Sequence, residues 1–361
     1  MKITFLSPSP DLSGGERVLA IYAAGLAAMG HGVEVVCTGP RRFSAWTRTK
    51  CLLTGKGWLP QRRVGASHYQ QMGVPHRVVR RRPLVEGDLP DADVCVASWW
   101  ETSTWLNAMG PAKGAKVYLM QDYGAPSQEW HKLEPTFRYP MKIVTISRWL
   151  YERILGVAPE ADVALVPNGV DAEVFSFLDR PKNDPPVFGM VYRKLATKRC
   201  GLALGAFVAY RAAGGRGVLR LVGGEAPEPS PDDPPGLERL GRLDDAGLVT
   251  AYQGCDAWLF TSESEGFGLP ILEAMACGTP VIAAPSGAAP ELVPGGGGWL
   301  LEDIDAGRLA GAMHEVEALP GDTWVARSRA ARAAAEGCDW PTATGRFEAA
   351  LRAAADGRRE A

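Results

Sequence analysis

Short apolar runs alternate along the chain with longer stretches whose apolar residues return at helical spacing, a pattern that predicts βαβ units and parallel sheets. The first unit is the clearest. Ile3 to Leu6 reads as a buried strand, Ser7 to Gly15 as a loop and Glu16 to Met29 as an amphipathic helix; Gly30 fits its C-terminal cap, and Val33 to Val36 is the next strand. Val94 to Ala97, Val117 to Met120 and Ile143 to Ile146 continue the strand series. The rhythm breaks at Val166-Pro-Asn-Gly-Val170 and at the breaker cluster Arg180-Pro-Lys-Asn-Asp-Pro-Pro186. A second series starts at Val187 to Val191 and runs on through Val218 to Val222, Ala257 to Phe260 and Val281 to Ala283, interrupted by a Pro/Asp-rich loop from Glu225 to Pro235. The boundary falls near residues 170–185. It divides the chain into residues 1–170 and 171–338, followed by a terminal segment, 339–361, with a last helix from about Pro341 to Ala355 and a frayed charged tail.

Composition agrees with two ordinary domains: 361 residues, 46% apolar and 22% charged. A net charge of -2 offers no bulk attraction to nucleic acid. The seven cysteines form no C-x-x-C and several sit inside apolar runs, which reads as buried free thiols in a reducing compartment. The five histidines are scattered, so no zinc site is indicated. The apolar stretch at the amino end is too short for a signal peptide, and no uncharged apolar run approaches the roughly 18 residues of a membrane span. A cytoplasmic location is expected. Residues 41–85 contain eleven Arg or Lys and no Asp or Glu, with Trp46, Leu52, Leu53 and Trp58 interleaved. Two readings stay open for this segment: a solvated face or mobile basic loop, or a patch for an anionic acceptor or for peripheral contact with the inner face of an anionic membrane.

The most informative stretch runs from Ser262 to Gly278, after the strand Ala257 to Phe260. Pro270 suits a first helical position and Gly278 the cap at the far end, so a strand leads through a Gly-rich turn into a short helix. Free amides around Gly266 to Leu269, backed by the positive end of the helix dipole, attract phosphate. Glu265 precedes this helix and Glu273 falls in its first turn. Carboxylates accept well from paired hydroxyls, so sugar and ribose diols are natural partners. Taken singly, Glu273 also reads as a helix-dipole partner and Glu265 as a surface turn residue; beside the Gly-Phe-Gly turn, the binding role prevails.

Glu265-x7-Glu273, set in Glu-Gly-Phe-Gly-Leu-Pro-Ile-Leu-Glu-Ala-Met-Ala-Cys-Gly-Thr-Pro-Val-Ile, resembles the signature of retaining GT-B glycosyltransferases of the family 4 type, the glycosyl transferases group 1. Other segments resemble that family in order: Ser13-Gly14-Gly15-Glu16-Arg17-Val18, Gly30-His31-Gly-Val-Glu-Val, Val166-Pro-Asn-Gly-Val-Asp171, Gly241-Arg242-Leu243 with Ala251-Tyr-Gln-Gly-Cys-Asp256, and Trp340 before the final helix. The likeness spans nearly the whole chain and is weakest over residues 40–90. It implies an α/β, GT-B architecture of two facing Rossmann-like domains with parallel sheets and an interdomain cleft. Residues 1–170 would take the acceptor, 171–338 the donor, and the last helix would return to the N-terminal domain.

The resemblance also implies a reaction. A hexose or deoxyhexose would pass from a nucleotide-diphosphate sugar to an acceptor hydroxyl of a glycan, glycolipid or small molecule, with retention, in polysaccharide, glycolipid or natural-product glycan assembly. No metal or other cofactor would be needed. By match of position, Arg193 and Lys198 would hold the diphosphate as it gains charge. Glu265 would contact donor-sugar hydroxyls and Glu273 the ribose, with Gly266, Phe267, Gly268 and Leu269 along the sugar and diphosphate. Gly14 and Gly15 would let backbone approach the diphosphate or acceptor, Gly223 and Leu243 would line the base pocket, and Asn168 belongs to the interdomain segment.

The chain departs from the family in two places. Tyr192 stands where a Gly often precedes the Arg, and Gln121-Asp122-Tyr123 replaces a His near the reacting centre. Gln121 and Asp122 are expected to face the cleft, Asp122 as an acceptor base or a loop cap. Arg199 competes for the role of Lys198, and His31 reads as a structural turn residue. Asp91-Ala-Asp93 precedes its strand instead of following it and reads as a turn. Two other functions keep the fold: a sugar-nucleotide epimerase or phosphorylase-like enzyme, and a non-catalytic nucleotide-sugar-binding subunit.

Overall fold

The computed structural model describes residues 1–39, 45–54, 65–124 and 130–360. Its first sheet comprises seven parallel strands: β1 (Lys2–Ser7), β2 (Gly32–Thr38), β3 (His76–Val79), β4 (Val94–Ala97), β5 (Ala115–Met120), β6 (Lys142–Thr145) and β7 (Val163–Leu165). They lie in the order β3-β2-β1-β4-β5-β6-β7. The second sheet has six, also parallel: β8 (Val187–Val191), β9 (Val218–Val222), β10 (Leu237–Gly241), β11 (Ala257–Phe260), β12 (Val281–Ala283) and β13 (Gly298–Leu300), in the order β10-β9-β8-β11-β12-β13. Each sheet reverses its strand order once, between β1 and β4 and between β8 and β11. In open α/β sheets a ligand crevice lies outside the carboxyl ends of the strands at such a point.

The strands the apolar runs predict are all present, five of them (β4, β8, β9, β11 and β12) with the same limits. β3, β7, β10 and β13 were not predicted. β3 and β10 interleave charged residues with apolar ones, β7 and β13 are only three residues long, and all four stand at sheet edges with their residues half-buried or exposed. The first helix starts at Gly14, two residues before the sequence suggests, so Gly14 and Gly15 are its first helical positions and not a loop. Both are exposed, with open space where a side chain would stand.

A buried carboxylate roots that helix. Glu16 accepts hydrogen bonds from the Ser7 hydroxyl at 2.7 Å and from the Tyr69 hydroxyl. Burial raises its pKa from 4.5 to about 7, against the lowering effect of those two donors. At the other end of the helix Gly30 takes φ +88, the left-handed cap predicted for it.

The final helix, Trp340–Glu360, packs on the first domain. Phe347 is fully buried between Tyr22 (4.5 Å between ring centroids) and Phe5 (6.3 Å), and Trp340 meets Tyr22 edge-on. His31 bonds Glu348 at 3.0 Å, a structural role. The chain thus crosses between the domains twice, side by side: the Val170 amide donates to the Cys338 carbonyl at 2.8 Å, and a Cβ on Gly169 would overlap the Asp339 backbone.

Part of the basic segment is neutralised internally. Arg77 pairs with Glu34, Arg81 with Asp88 and Arg82 with Glu101. Residues 40–44 and 55–64, with Trp58 among them, lie outside the described residues. Between them the helix Ala45–Leu53 buries no residue and exposes Trp46 and Leu53, at 71% and 80%. No described helix is long and apolar enough to cross a membrane. Asp91 pairs with Lys113, and Asp93 accepts from the Lys2 amide at 2.7 Å, both as turn residues.

Glu16 generates a pH prediction. Its folded pKa lies above its unfolded value, so the native state holds the extra proton between pH 4.5 and about 7. Stability should therefore fall as pH rises through that window and level off above it. Glu16→Gln should abolish the fall: the variant should match the parent at pH 5 and exceed it by about 2 kcal/mol at pH 8. Urea denaturation at the two pH values checks this.

Candidate functional site

The predicted site residues gather at the reversal point of the second sheet. β8 ends at Val191, and the chain passes through Tyr192 and Arg193 to a single helical turn, Ala196–Lys198. Arg199 then takes φ +48 before the helix Cys200–Ala212. That left-handed residue reverses the chain sharply and leaves Lys198 facing the neighbouring strand end. β11 leads into Thr261 to Gly268 next door. The Thr261 hydroxyl donates to the Lys198 carbonyl at 2.9 Å, and the Glu263 amide to the Thr197 carbonyl at 2.8 Å. These bonds tie the two loops together, and across them the Lys198 ammonium bonds the Glu265 carboxylate. Both side chains are largely shielded, at 30% and 15% exposure.

Asp122 comes to the same place from the other domain. It follows β5 and caps its own turn, accepting from the Gly124 amide at 3.0 Å. Its carboxyl is open to solvent yet walled by both domains. Desolvation raises its pKa, and the Glu265 charge adds to this while Lys198 opposes it. Arg199 serves the chain reversal with its backbone, and of the two neighbouring cations it is Lys198 that pairs with Glu265.

The helix after the turn begins at Leu269, with Gly268 at its N-cap in a left-handed conformation of φ +87. Pro270 is its second residue, not its first, and Glu273 falls in the second turn, not the first. Glu273 is therefore no dipole partner of the leading amides. It is 6% exposed, and each of its oxygens has a holder. The fully buried Tyr252 donates its hydroxyl to one at 2.9 Å; Arg17, from the first helix of the other domain, reaches the second at 3.5 Å. Burial raises the Glu273 pKa, with Arg17 and Tyr252 opposing. Arg17 also reaches Asp245 at 3.3 Å, so one guanidinium joins the domains at two carboxylates.

The remaining predicted residues divide. Gln121 and Asn168 lie at the carboxyl ends of β5 and β7, and each buries a side-chain oxygen with no hydrogen-bond partner among the described residues. Such an acceptor is costly unless a ligand or an ordered water satisfies it. Gly223, at φ +133, lets the chain pass close under the Tyr192 carbonyl, where a Cβ would come within 2.6 Å. Leu243 is half-buried beside Asp244, the N-cap of the helix Asp245–Gln253. Phe267 is buried, its carbonyl accepting from the Ala288 amide at 2.8 Å. Arg193 is not gathered in: it is 55% exposed and reaches Glu225 at 3.5 Å. Exposed pairs of this kind are weak, so its side chain is available to turn inward. Gly14 and Gly15 stand at the exposed start of the first helix, one turn from Arg17.

Sequence reasoning missed Arg17 and Tyr252 as site residues, although both sit inside motifs it singled out. It also missed Ser147 and Trp149, which bond the acidic turn from the opposite domain. No local pattern marks them, since their partners lie more than a hundred positions away.

Known proteins resemble this chain in sequence over part of its length and in fold over nearly all of it. Residues 179–336 match the model of the family described as glycosyl transferases group 1. The chain is 35% identical over 88 residues to O-antigen chain mannosyltransferase B of Escherichia coli, covering 24% of this chain and 22% of that protein. It is 33% identical over 184 residues to D-inositol 3-phosphate glycosyltransferase of Actinosynnema mirum, covering 47% and 39%. These alignments span at most about two-fifths of the length of either relative. Among solved structures, HepE of Anabaena in complex with UDP-glucose superposes with a TM-score of 0.75 at 20% identity, covering 98% of this chain and all of that one. The fold is thus the GT-B arrangement of two parallel-sheet Rossmann-like domains, and residues 179–336, in the second of them, match the model of glycosyl transferases group 1.

Proposed function

We propose that the protein is a retaining glycosyltransferase of the family 4 type, moving a hexose or deoxyhexose from a nucleoside-diphosphate sugar to an acceptor hydroxyl. One observation carries the reading. The Lys198–Glu265 pair sits at the β8/β11 reversal point, in front of the helix start at Gly268, with the buried Glu273 one turn beyond. A cation and free amides suit a diphosphate that gains charge as its bond to the sugar breaks. The two carboxylates suit hydroxyl pairs on the sugar and the ribose.

In this reading the diphosphate leaves toward Lys198, the Phe267 to Leu269 amides and an inward-turned Arg193. Protein groups meet its charge, so the reaction calls for no resident metal. The acceptor hydroxyl of a glycan, glycolipid or small molecule attacks from the same face, and the departing phosphate takes its proton. Asp122 and Gln121 line the acceptor side, Gly14 and Gly15 leave room for the diphosphate or acceptor, and Gly223, Leu243 and Asn168 border the nucleotide. HepE with UDP-glucose supports a nucleotide-sugar partner for this fold. We assign the work to the cytoplasm, in assembly of a polysaccharide, glycolipid or natural-product glycan. Peripheral contact with an anionic membrane would run through the helix Ala45–Leu53, where Lys50 lies 5.0 Å over the exposed Trp46 ring.

Thermal-shift screening with UDP, GDP, dTDP and ADP should single out one nucleotide by a rise in apparent stability. With the matching donor, Lys198→Ala should lower kcat roughly 100-fold, as for loss of one preorganised donor; unchanged turnover would remove Lys198 from the mechanism. Glu273→Ala should chiefly raise the donor KM, and a normal donor KM in steady-state assays would leave Glu273 a structural residue. Co-sedimentation with phosphatidylglycerol vesicles should depend on Trp46 and Leu53. Equal binding by a Trp46→Ala, Leu53→Ala variant would discard the membrane contact.

A further inference from the structure

The turn that carries Glu265 is held from two sides. Its own domain ties Thr261 and Glu263 to the Lys198 loop. The other side belongs to the first domain, at the start of the helix Arg148–Val157 that follows β6. There the Ser147 hydroxyl donates to the Gly266 carbonyl at 2.6 Å, and the Trp149 indole N–H to the Glu265 carbonyl at 2.7 Å. The Arg148 amide between them donates to Glu291 at 2.8 Å. Ser147 is fully buried. On the far side of the turn Gly266 lies against the end of β5, where a Cβ would overlap the Gln121 carbonyl.

We propose that Ser147 and Trp149 are positioning residues for glycosyl transfer: they aim Glu265 by holding the two carbonyls that flank Gly266. The inference rests on the donor-site reading of Glu265. Two consecutive peptide planes are fixed by these bonds. A turn with glycine at its centre has wide backbone freedom of its own, so the direction of the Glu265 side chain is set by the domain opposite the donor site. The donor-side loop is consequently complete only when the first domain is seated against it. A well-oriented group of this kind loses its effect when displaced by about 1 Å.

The test uses the full chain and two variants. Trp149→Phe keeps an aromatic ring to pack against Tyr123, whose centroid lies 5.9 Å away, and removes only the N–H. Ser147→Ala removes the hydroxyl. Hydrogen exchange over residues 263–269, read by mass spectrometry without any substrate, should accelerate about tenfold in each variant while β11 keeps its protection. With UDP-glucose and GDP-mannose as probes, release of nucleoside diphosphate from the donor the parent hydrolyses should fall about tenfold in kcat, at an unchanged nucleotide Kd and Tm. The double variant should lose less than the product of the two single losses, because both bonds hold one turn. Wild-type exchange rates in both variants would overturn the proposal, as would a parallel loss of nucleotide affinity and kcat, which marks general damage to the site. Failure of the parent to bind UDP or GDP would sink the donor-site reading instead, and the exchange result would still judge the clamp.

Discussion

The cleft depends on one close approach: Gly266 against the Gln121 carbonyl, with no side chain between them. That contact brings the carboxyl end of β5 onto the turn after β11 and so sets the spacing of the two domains at the chemistry. Around it the Ser147 and Trp149 bonds, the Arg17 bridge and the paired crossovers at Val170 and Cys338 are mutually consistent. Any side chain at position 266 would have to push the domains apart.

Electrostatics then decides what the joined surfaces can do. Opposite charges meet in pairs that are largely shielded from water: Lys198 with Glu265, and Arg17 with Glu273. Removing one member of such a pair leaves the other uncompensated, which is more damaging than replacing both. The same pairing keeps both carboxylates oriented. Tyr252 extends this logic inward. It is fully buried, stacked edge-on with Trp258 at 4.4 Å, and offers Glu273 a donor that water cannot dislodge.

The two sheets differ in how they are completed. In the second domain, one face packs its own helices through residues such as Phe188, Phe207, Leu221 and Met313. The first domain borrows its last helix from the far end of the chain, and Phe347 joins a core that begins at Ile3. Closure of the chain upon itself therefore completes the core of the first domain, and the segment that leads into this helix also lies beside the crossover at Val170.

By itself the sequence determined the alternation of strands and helices, the central strands of both sheets and the strand–turn–helix segments that bear Lys198, Glu265 and Glu273. Local periodicity and turn chemistry are short-range, and buried parallel strands announce themselves as apolar runs. It did not reveal the edge strands, which are very short or interleaved with charge, nor the true start of the helix at Leu269, which shifts Glu273 by a turn. The tertiary structure alone decided which groups hold the carboxylates. Arg17 and Glu273 are 256 positions apart, and Trp149 and Glu265 are 116 apart. Bonds across such separations arise only when the two domains are brought together, and no spacing along the chain encodes them.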